Sequence, residues 1–316
     1  MTTLAAPPAR SRHWRRYPAS TFYLFAAPWI LGFLALTIIP LGWALVISLT
    51  NFDGMAPGYR FIGLKNYVEL FTDYPQALRS LWQTVLYTAA VVPLSVAGGL
   101  GLAILVNRRI RAVGLIRAIF FLPSVVPVVA TAIMWRLVLN PDAGMLNGIL
   151  DLVGLPSSIS WLIDPYAFYS LLMVSLWGLG GGMVIILAAL QDVPGELNEA
   201  AVLDGANGWQ TIRHVTIPMI SPVLYFQVVT GVIGALQVLV QPMLLAQTSS
   251  IATAASVPPS THLYMVQVYE KFFTNNRFGF GSAMLWVFFV VIMLITLALQ
   301  RSSRRWVHYQ ASTNED

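Results

Sequence analysis

The sequence predicts an all-α membrane protein, a bundle of six transmembrane helices with N- and C-termini cytoplasmic. Three observations predict it. First, 57% of the 316 residues are apolar and only 10% are charged, against about 25% charge in a soluble domain. A mean hydropathy of +0.70 says the same, and such a chain cannot coat a water-facing surface with polar groups. Second, the charges lie in short clusters between long uncharged runs, and about 20 apolar residues suffice for one helix to cross a bilayer. Third, the basic residues are biased to alternate loops, as the positive-inside tendency requires. The composition excludes a disordered chain, which would be polar. The net charge of +5 is scattered over loops rather than gathered on a face, so no nucleic-acid partner is expected. The chain has no cysteine, hence no disulfide framework and no thiolate metal site.

Taken in order, residues 1–20 form a basic cytoplasmic tail and 21–50 the first transmembrane helix. That helix is far longer than the 7–15 residues, roughly, of a signal-peptide core, and no small-residue cleavage site follows it. Residues 51–79 form an external loop, 80–300 a core with five further spans, and 301–316 a cytoplasmic C-terminal tail. The six apolar runs are 22–49, 80–106, 114–139, 166–190, 221–246 and 280–299. Arg117 and Arg136 flank the third, where long side chains can snorkel to the interface. The fifth lies in an uncharged run from His214 to Tyr269, of which 247–262 reads as an external loop. With the N-terminus inside, Arg10, Arg12, Arg15, Arg16, Arg108, Arg109, Arg111, Arg117, Arg213, Arg301, Arg304 and Arg305 are cytoplasmic. Arg60, Lys65, Arg79, Lys271 and Arg277 are outside, with Arg136 at the margin.

The spans carry no ionisable group at their centres, which argues against a proton- or ion-coupled carrier. They do carry helix breakers: Pro93, Pro123, Pro127, and Gly178, Gly180, Gly181 and Gly182. Such residues are common in membrane helices, and together they suit helices that bend or slide. On a continuous fifth helix, Gln227, Gln237 and Gln241 fall within roughly 80° of one another. That amide face, with Tyr225 nearby, either meets another helix or lines a path for a neutral hydroxylated solute. Trp177 and Trp135 are either sugar-stacking rings or members of an interfacial aromatic belt.

The loop 191–220 differs from every other predicted inner loop, being long, mixed in charge and patterned. Pro194 suits a helix start, and 195–204 are good helix formers. Gly205 and Gly208 interrupt the helix, and a second short helix covers about 209–214. Such a helix–turn–helix with small apolar side chains suits insertion into a partner's groove. An amphipathic helix lying on the membrane would instead be rich in Lys and Arg, and this one carries Glu196, Glu199 and Asp204.

At this loop the chain resembles the membrane subunits of binding-protein-dependent ABC importers. Their EAA loop runs E-A-A, three residues, G, then about a dozen residues to I-x-P or L-P. Here Glu199, Ala200 and Ala201 precede Asp204, Gly205 and Ala206, and later Ile217 and Pro218; the I-P ending replaces the commoner L-P. Phe61–Phe71 is similar to the G-L-x-N-Y element of sugar-type permeases. Leu122–Asn147 is similar to their L-P-x-x-x-P…W…N-P-x-x-G-x-x-N stretch, and Phe278–Met284 to their G-x-G-S-A segment. The resemblance covers roughly 22–310 and points to the carbohydrate branch, of the compact glycerol-3-phosphate type rather than the larger maltose type.

It implies the type I ABC importer permease fold and a sugar or sugar derivative as cargo. It implies a second homologous permease, two ABC ATPase subunits and an extracytoplasmic solute-binding protein as partners, in a bacterial cytoplasmic membrane. It makes Glu199, Ala200, Ala201, Asp204, Gly205, Ala206, Ile217 and Pro218 the ATPase-coupling residues. The chain is then no enzyme and binds no cofactor, with ATP and Mg on the partner ATPase. In agreement, the only lysines, Lys65 and Lys271, follow Leu64 and Glu270, and neither sits in a phosphate-binding Gly-Lys-Ser/Thr. His13, His214, His262 and His308 are scattered. A permease for another solute (a polyol, glycerol phosphate or a peptide) or an ATP-independent carrier remain the alternatives.

Overall fold

The computed structural model describes residues 19–55, 58–108, 111–246 and 256–308. The tail bearing Arg10, Arg12, Arg15 and Arg16, together with Arg109, 247–255 of the expected outer loop, and 309–316, lie outside the described residues. Those described are helical, with a single isolated bridge between Thr50 and Phe61.

The first span is α1 (Ala19–Phe33) and α2 (Ile39–Ser48), joined by a π-helical turn, Leu34–Ile38. The turn sits just before Pro40. Proline lacks an amide N–H and its ring crowds the carbonyl four residues back. The wider π turn, closed by Ile39 N–H donating to Leu34 O, keeps the helix going past it. The same device recurs before Pro218, where Ile217 N–H donates to Ile212 O. The most apolar stretch of this span buries none of its residues within the chain; only α2 rests on the last helix.

Next come α3 (Lys65–Thr72), α4 (Pro75–Val106), α5 (Val113–Val125) and α6 (Val128–Val138). Pro93 leaves α4 unbroken over 32 residues. The expected straight third span, 114–139, is instead two helices meeting at 99°. The cause is local: Val126 precedes Pro127, is pushed out of helical conformation to ψ 129°, and cannot continue α5. Arg117, at the inner end of α5, donates Nη2 to the Val106 carbonyl at 3.0 Å and so caps α4.

The chain continues through α7 (Met145–Leu152), α8 (Ala167–Leu176), α9 (Gly180–Gln191), α10 (Gly195–Leu203), α11 (Gly208–Thr211) and α12 (Ile217–Met219). It ends with α13 (Ser221–Leu236), α14 (Val240–Leu245), α15 (Tyr264–Tyr269) and α16 (Phe278–Ser303). Helices α8 and α9 bend by 44°, and α12 meets α13 at 70°. Among the described residues, three helices are long and apolar enough to cross a membrane, six if each bent pair counts as one span. The fifth run, 221–246, is not one helix either: α13 stops at Leu236 and α14 starts at Val240. Residues 256–262, expected as loop, include a short 3-10 turn with Val257 and Thr261 buried.

The bundle centre is α4 packed against α9 and α13, with α5, α8 and α16 around it. Glycines allow the tightest crossings. A Cβ on Gly180 would collide with the Phe120 carbonyl oxygen, so α5 and α9 touch backbone to backbone there. Two apolar clusters form. One gathers Tyr87, Leu171, Leu236, Leu263, Tyr264 and Phe280; the other gathers Ala103, Val106, Met183, Ile186, Leu190 and Ile220.

Candidate functional site

Between the two clusters lies a cavity of about 300 Å³, lined by Ser95, Val96, Ser175, Gly178, Leu179, Gly182, Ile186, Gln227, Thr230 and Gly231. Val96 packs against both clusters. On α13, Leu224 belongs to one cluster and Val232 to the other, and Gln227 and Thr230 come between them. Gly178, in the break between α8 and α9, and Gly182, in the first turn of α9, put no side chain into this space. Gln227 Nε2 donates to the Gly182 carbonyl at 3.1 Å, a carbonyl in the first turn of α9. Ser175 Oγ donates to Leu171 O and contacts the Tyr87 hydroxyl, both at 2.7 Å. Thr230 Oγ1 donates to Phe226 O at 2.8 Å. The lining thus offers three hydroxyls and one amide, and no ionisable group.

The three glutamines do not form one face. Gln227 lines the cavity. Gln237 is the exposed cap of α13, beyond its last helical residue, and Gln241 lies past the break, on α14. The expected stripe assumed a continuous helix, and the chain breaks at Gln237. Tyr225 is at the opposite end of α13, half-buried against the Trp306 ring at 5.9 Å, and is not a lining residue. Trp177 sits at the α8–α9 break, 42% exposed, edge-on to Trp135 at 5.4 Å. It adjoins Gly178 of the lining but is not itself part of it. The Trp135 Nε1 is buried with no acceptor. Ser95, Ser175 and Thr230 were not singled out in the sequence. The legible signal was Thr230 three residues after Gln227, on the same helical face.

The loop after α9 is a helical hairpin standing off the bundle. No residue of α10 is buried, and Leu203 (88%), Trp209 (66%) and Val202 (64%) are exposed. Glu199, Ala200 and Ala201 form its middle, and Asp204, Gly205 and Ala206 its end. The end is a Schellman closure: Ala206 N–H donates to Ala201 O at 2.9 Å and Gly205 N–H to Val202 O at 3.0 Å. Gly205 is left-handed, φ +82°, with open space where a Cβ would lie. The E-A-A…G spacing is therefore helix plus stop. Asn207 then opens α11 through a capping box. Its side chain accepts from Gln210 N–H at 2.9 Å, and Gln210 Oε1 accepts from Asn207 N–H at 2.8 Å. That cap starts the second helix at 208, and the helix runs on through the π turn Ile212–Thr216 to Met219, longer than expected. Ile217 and Pro218 sit at its end, before the elbow at Ile220.

The other motifs hold together the end of the bundle away from the hairpin. Asn66 of the G-L-x-N-Y element donates Nδ2 to Ser48 O and Thr50 O at 2.8 and 2.9 Å, ending the first span. Gly279 of the G-x-G-S-A element packs so closely on the Thr50 carbonyl that no side chain fits. In the N-P-x-x-G-x-x-N stretch, Asn140 Oδ1 accepts from Asp142 and Ala143 N–H, each at 2.9 Å. Asn147 accepts from Trp161 Nε1 at 2.7 Å.

A charged clamp completes this end. Arg277 forks onto Glu69, both bonds 2.6 Å, and lies 4.4 Å over the Phe280 ring. The Arg277 hydrogen bonds hold the Glu69 carboxyl below its ordinary range and raise Arg277 further. Buried Lys271 stacks 4.1 Å over Tyr74, and desolvation lowers its ammonium while raising the Tyr74 phenol.

A polar cavity between two apolar clusters of a helical membrane bundle, with an exposed helical hairpin beside it, defines a solute permease. Residues 95–309 match the model of the binding-protein-dependent transport system inner membrane component, and the chain belongs to that family. It is 36% identical to the probable ABC transporter permease protein YesP of Bacillus subtilis (strain 168), over 92% of each chain. It is 31% identical to the diacetylchitobiose uptake system permease protein NgcF of Streptomyces coelicolor, over 92% of this chain and 84% of that one. A bacterial alginate ABC transporter crystallised with its pentasaccharide-bound periplasmic protein contains a chain of the same fold. The TM-score is 0.78 at 22% identity, covering 90% of this chain and 94% of that chain. The protein is thus the membrane-spanning permease subunit of a binding-protein-dependent ABC importer.

Proposed function

We propose that the cargo is a neutral sugar or sugar derivative, carried through the cavity between α4, α9 and α13. The observation that carries this reading is the lining: Ser95, Ser175, Thr230 and the Gln227 amide suit hydroxyl groups, and no lining side chain is charged. A phosphorylated solute would leave its anion without a cation there. The relationship to a diacetylchitobiose permease favours the same class. Trp177 and Trp135, with the unpaired indole N–H, stand beside the path as a stacking platform. The three glutamines and Tyr225 then divide: Gln227 contacts the solute, while Gln237, Gln241 and Tyr225 shape the helix ends.

The hairpin from α10 to α12 docks in a groove of one of two ATPase subunits, with Glu199, Ala200, Ala201, Asp204, Gly205, Ala206, Ile217 and Pro218 setting its shape. ATP and Mg are bound there and hydrolysed by the partner, not by this chain. A second, homologous permease covers the 99° break at Val126–Pro127, whose neighbours from Ser124 to Ala130 are all exposed. Lipid cannot satisfy backbone groups freed at such a break. The binding protein meets the Arg277–Glu69 side. On this reading six spans cross a bacterial cytoplasmic membrane and both termini are inside. The test is a mild-detergent pull-down of the tagged chain from its native membranes. A second multi-span permease and a P-loop ATPase should accompany it, and the ATPase should be lost with Leu203→Glu in the hairpin. A chain recovered alone would sink the reading.

A further inference from the structure

The elbow at Ile220 joins the hairpin to α13 through a 70° bend, and two prolines surround it. Pro222 has no amide N–H, so the Pro218 carbonyl, four residues back, cannot receive the helical hydrogen bond it would otherwise accept. Ser221 replaces that donor: its Oγ donates to Pro218 O at 2.7 Å, and the residue is 2% exposed. A lone pair of the same hydroxyl accepts the backbone N–H of His308 at 2.9 Å, from 87 positions along the chain. Two residues before His308, Trp306 sets its ring edge-on to Tyr225, 5.9 Å away at 74°. This segment is itself stitched to the end of α16. Trp306 N–H and Val307 N–H both donate to the Ser303 carbonyl, at 3.1 and 2.9 Å. At its other end α16 begins beside Arg277, which grips Glu69 on α3.

We propose that residues 304–308 are a clasp on this elbow, with Trp306 and Ser221 as positioning residues for the coupling of ATP hydrolysis to transport. Ile220 belongs to the inner apolar cluster and is 2% exposed, so displacement of the hairpin must turn about it. The clasp holds the bend angle by tying both sides of the elbow, the Pro218 carbonyl and Tyr225, to α16. A push on the hairpin then moves α13 and its cavity residues Gln227 and Thr230, rather than being absorbed as a change of angle.

The inference rests on the ATPase-coupled reading, and its experiment separates the two. The complete importer is reconstituted in liposomes with its ATPase. The cognate binding protein is purified from the native source with its own solute in place. ATP hydrolysis is measured with and without the binding protein, for wild type, Trp306→Ala, Trp306→Phe and Ser221→Ala. Trp306→Ala and Ser221→Ala should each raise hydrolysis without the binding protein about threefold or more, with the stimulated rate little changed. Trp306→Phe, which keeps an edge-on ring, should restore the wild-type ratio. A purely structural role would lower both rates together and leave the ratio alone. Unchanged ratios in Trp306→Ala and Ser221→Ala, or in Ser221→Ala alone if Trp306→Ala does not assemble, would overturn the clasp. A wild-type chain that recruits no ATPase would overturn the coupling reading instead.

Discussion

Gly205 and Gly182 are both glycines of the working parts, and they are glycine for opposite reasons. At Gly205 nothing surrounds the missing Cβ, and the constraint is the backbone at φ +82°. An L side chain there costs roughly 1–2 kcal/mol, and more to a hairpin whose end must stay sharp. Gly205→Ala should therefore impair ATP-driven uptake in proportion to that strain, while Gly205→Asn, which tolerates the left-handed region, keeps most of it. Equal loss from both would mean that side-chain contact, not conformation, matters. At Gly182 the missing Cβ would lie 3.1 Å from Gln227 Nε2, and the constraint is space in the cavity. Gly182→Val should abolish uptake while leaving recovery of the ATPase with the chain unchanged; normal uptake would move the solute path elsewhere. Beside α16, Glu69 titrates below its ordinary range because Arg277 binds its ionised form. Its stabilisation is present above the unfolded carboxylate value of about 4.3 and is lost as pH falls through the lower folded value. Both side chains are over a third exposed, so the pair contributes at most about 1 kcal/mol. Thermal unfolding in detergent between about pH 6 and 3 should show this acid-side loss in wild type and a shallower slope in Glu69→Gln; parallel slopes would remove the pair from the account.

At the scale of elements, prolines and glycines decide where the spans bend. Pro127 turns the third run by 99°, the glycine run at Gly178–Gly182 bends the fourth by 44°, and Pro218 and Pro222 frame the 70° elbow. Neighbouring glycines are not equivalent. A Cβ on Gly180 meets the α5 backbone, whereas one on Gly181 makes only ordinary contact with the Ser124 side chain, Cβ at 3.5 Å and Oγ at 3.7 Å. Gly180→Ala should therefore force α5 and α9 apart and cost about 1–3 kcal/mol or more, read as a lower midpoint of thermal aggregation in detergent. Gly181→Ala should behave as wild type, and a reversed order would mean that α5 and α9 do not cross as described. The E-A-A…G spacing of the hairpin was legible, because capping is encoded within a few residues of the helix end it closes; the Asn207–Gln210 capping box, equally local, was passed over. The glutamine stripe was misread. Its geometry depended on whether α13 continued past Leu236. Gly234 lies two residues before that end, and Pro242, in the first turn of α14, has no N–H to offer the Val238 carbonyl, so a continuous helix was already disfavoured in the sequence.

At the scale of the whole molecule, the apolar runs located helical segments because crossing a bilayer demands long uncharged stretches, but not their breaks: among the described residues only the first, second and sixth runs fall in helices long enough to cross alone. The cavity was hidden, because its hydroxyls come from three spans far apart in sequence and look like ordinary serines and threonines in each. Besides the exposed hairpin, the motifs that carried the family resemblance turn out to be bracing: Asn66, Asn147 and Gly279 are bound to backbone or buried structure. The family resemblance was thus legible from the hairpin and from scaffold residues, while the cavity lining left little trace. The central claim, that the hairpin carries ATP-derived work into the bundle, has a direct test because the chain contains no cysteine. A single cysteine at Ala201 is cross-linked to a cysteine in the groove of the co-purified ATPase. Uptake of the solute released from the cognate binding protein is then followed in proteoliposomes, before and after reduction. ATP-dependent uptake should stop on cross-linking and return with the reductant. Uptake that needs no ATP, or that continues with the hairpin locked to the ATPase, would contradict it.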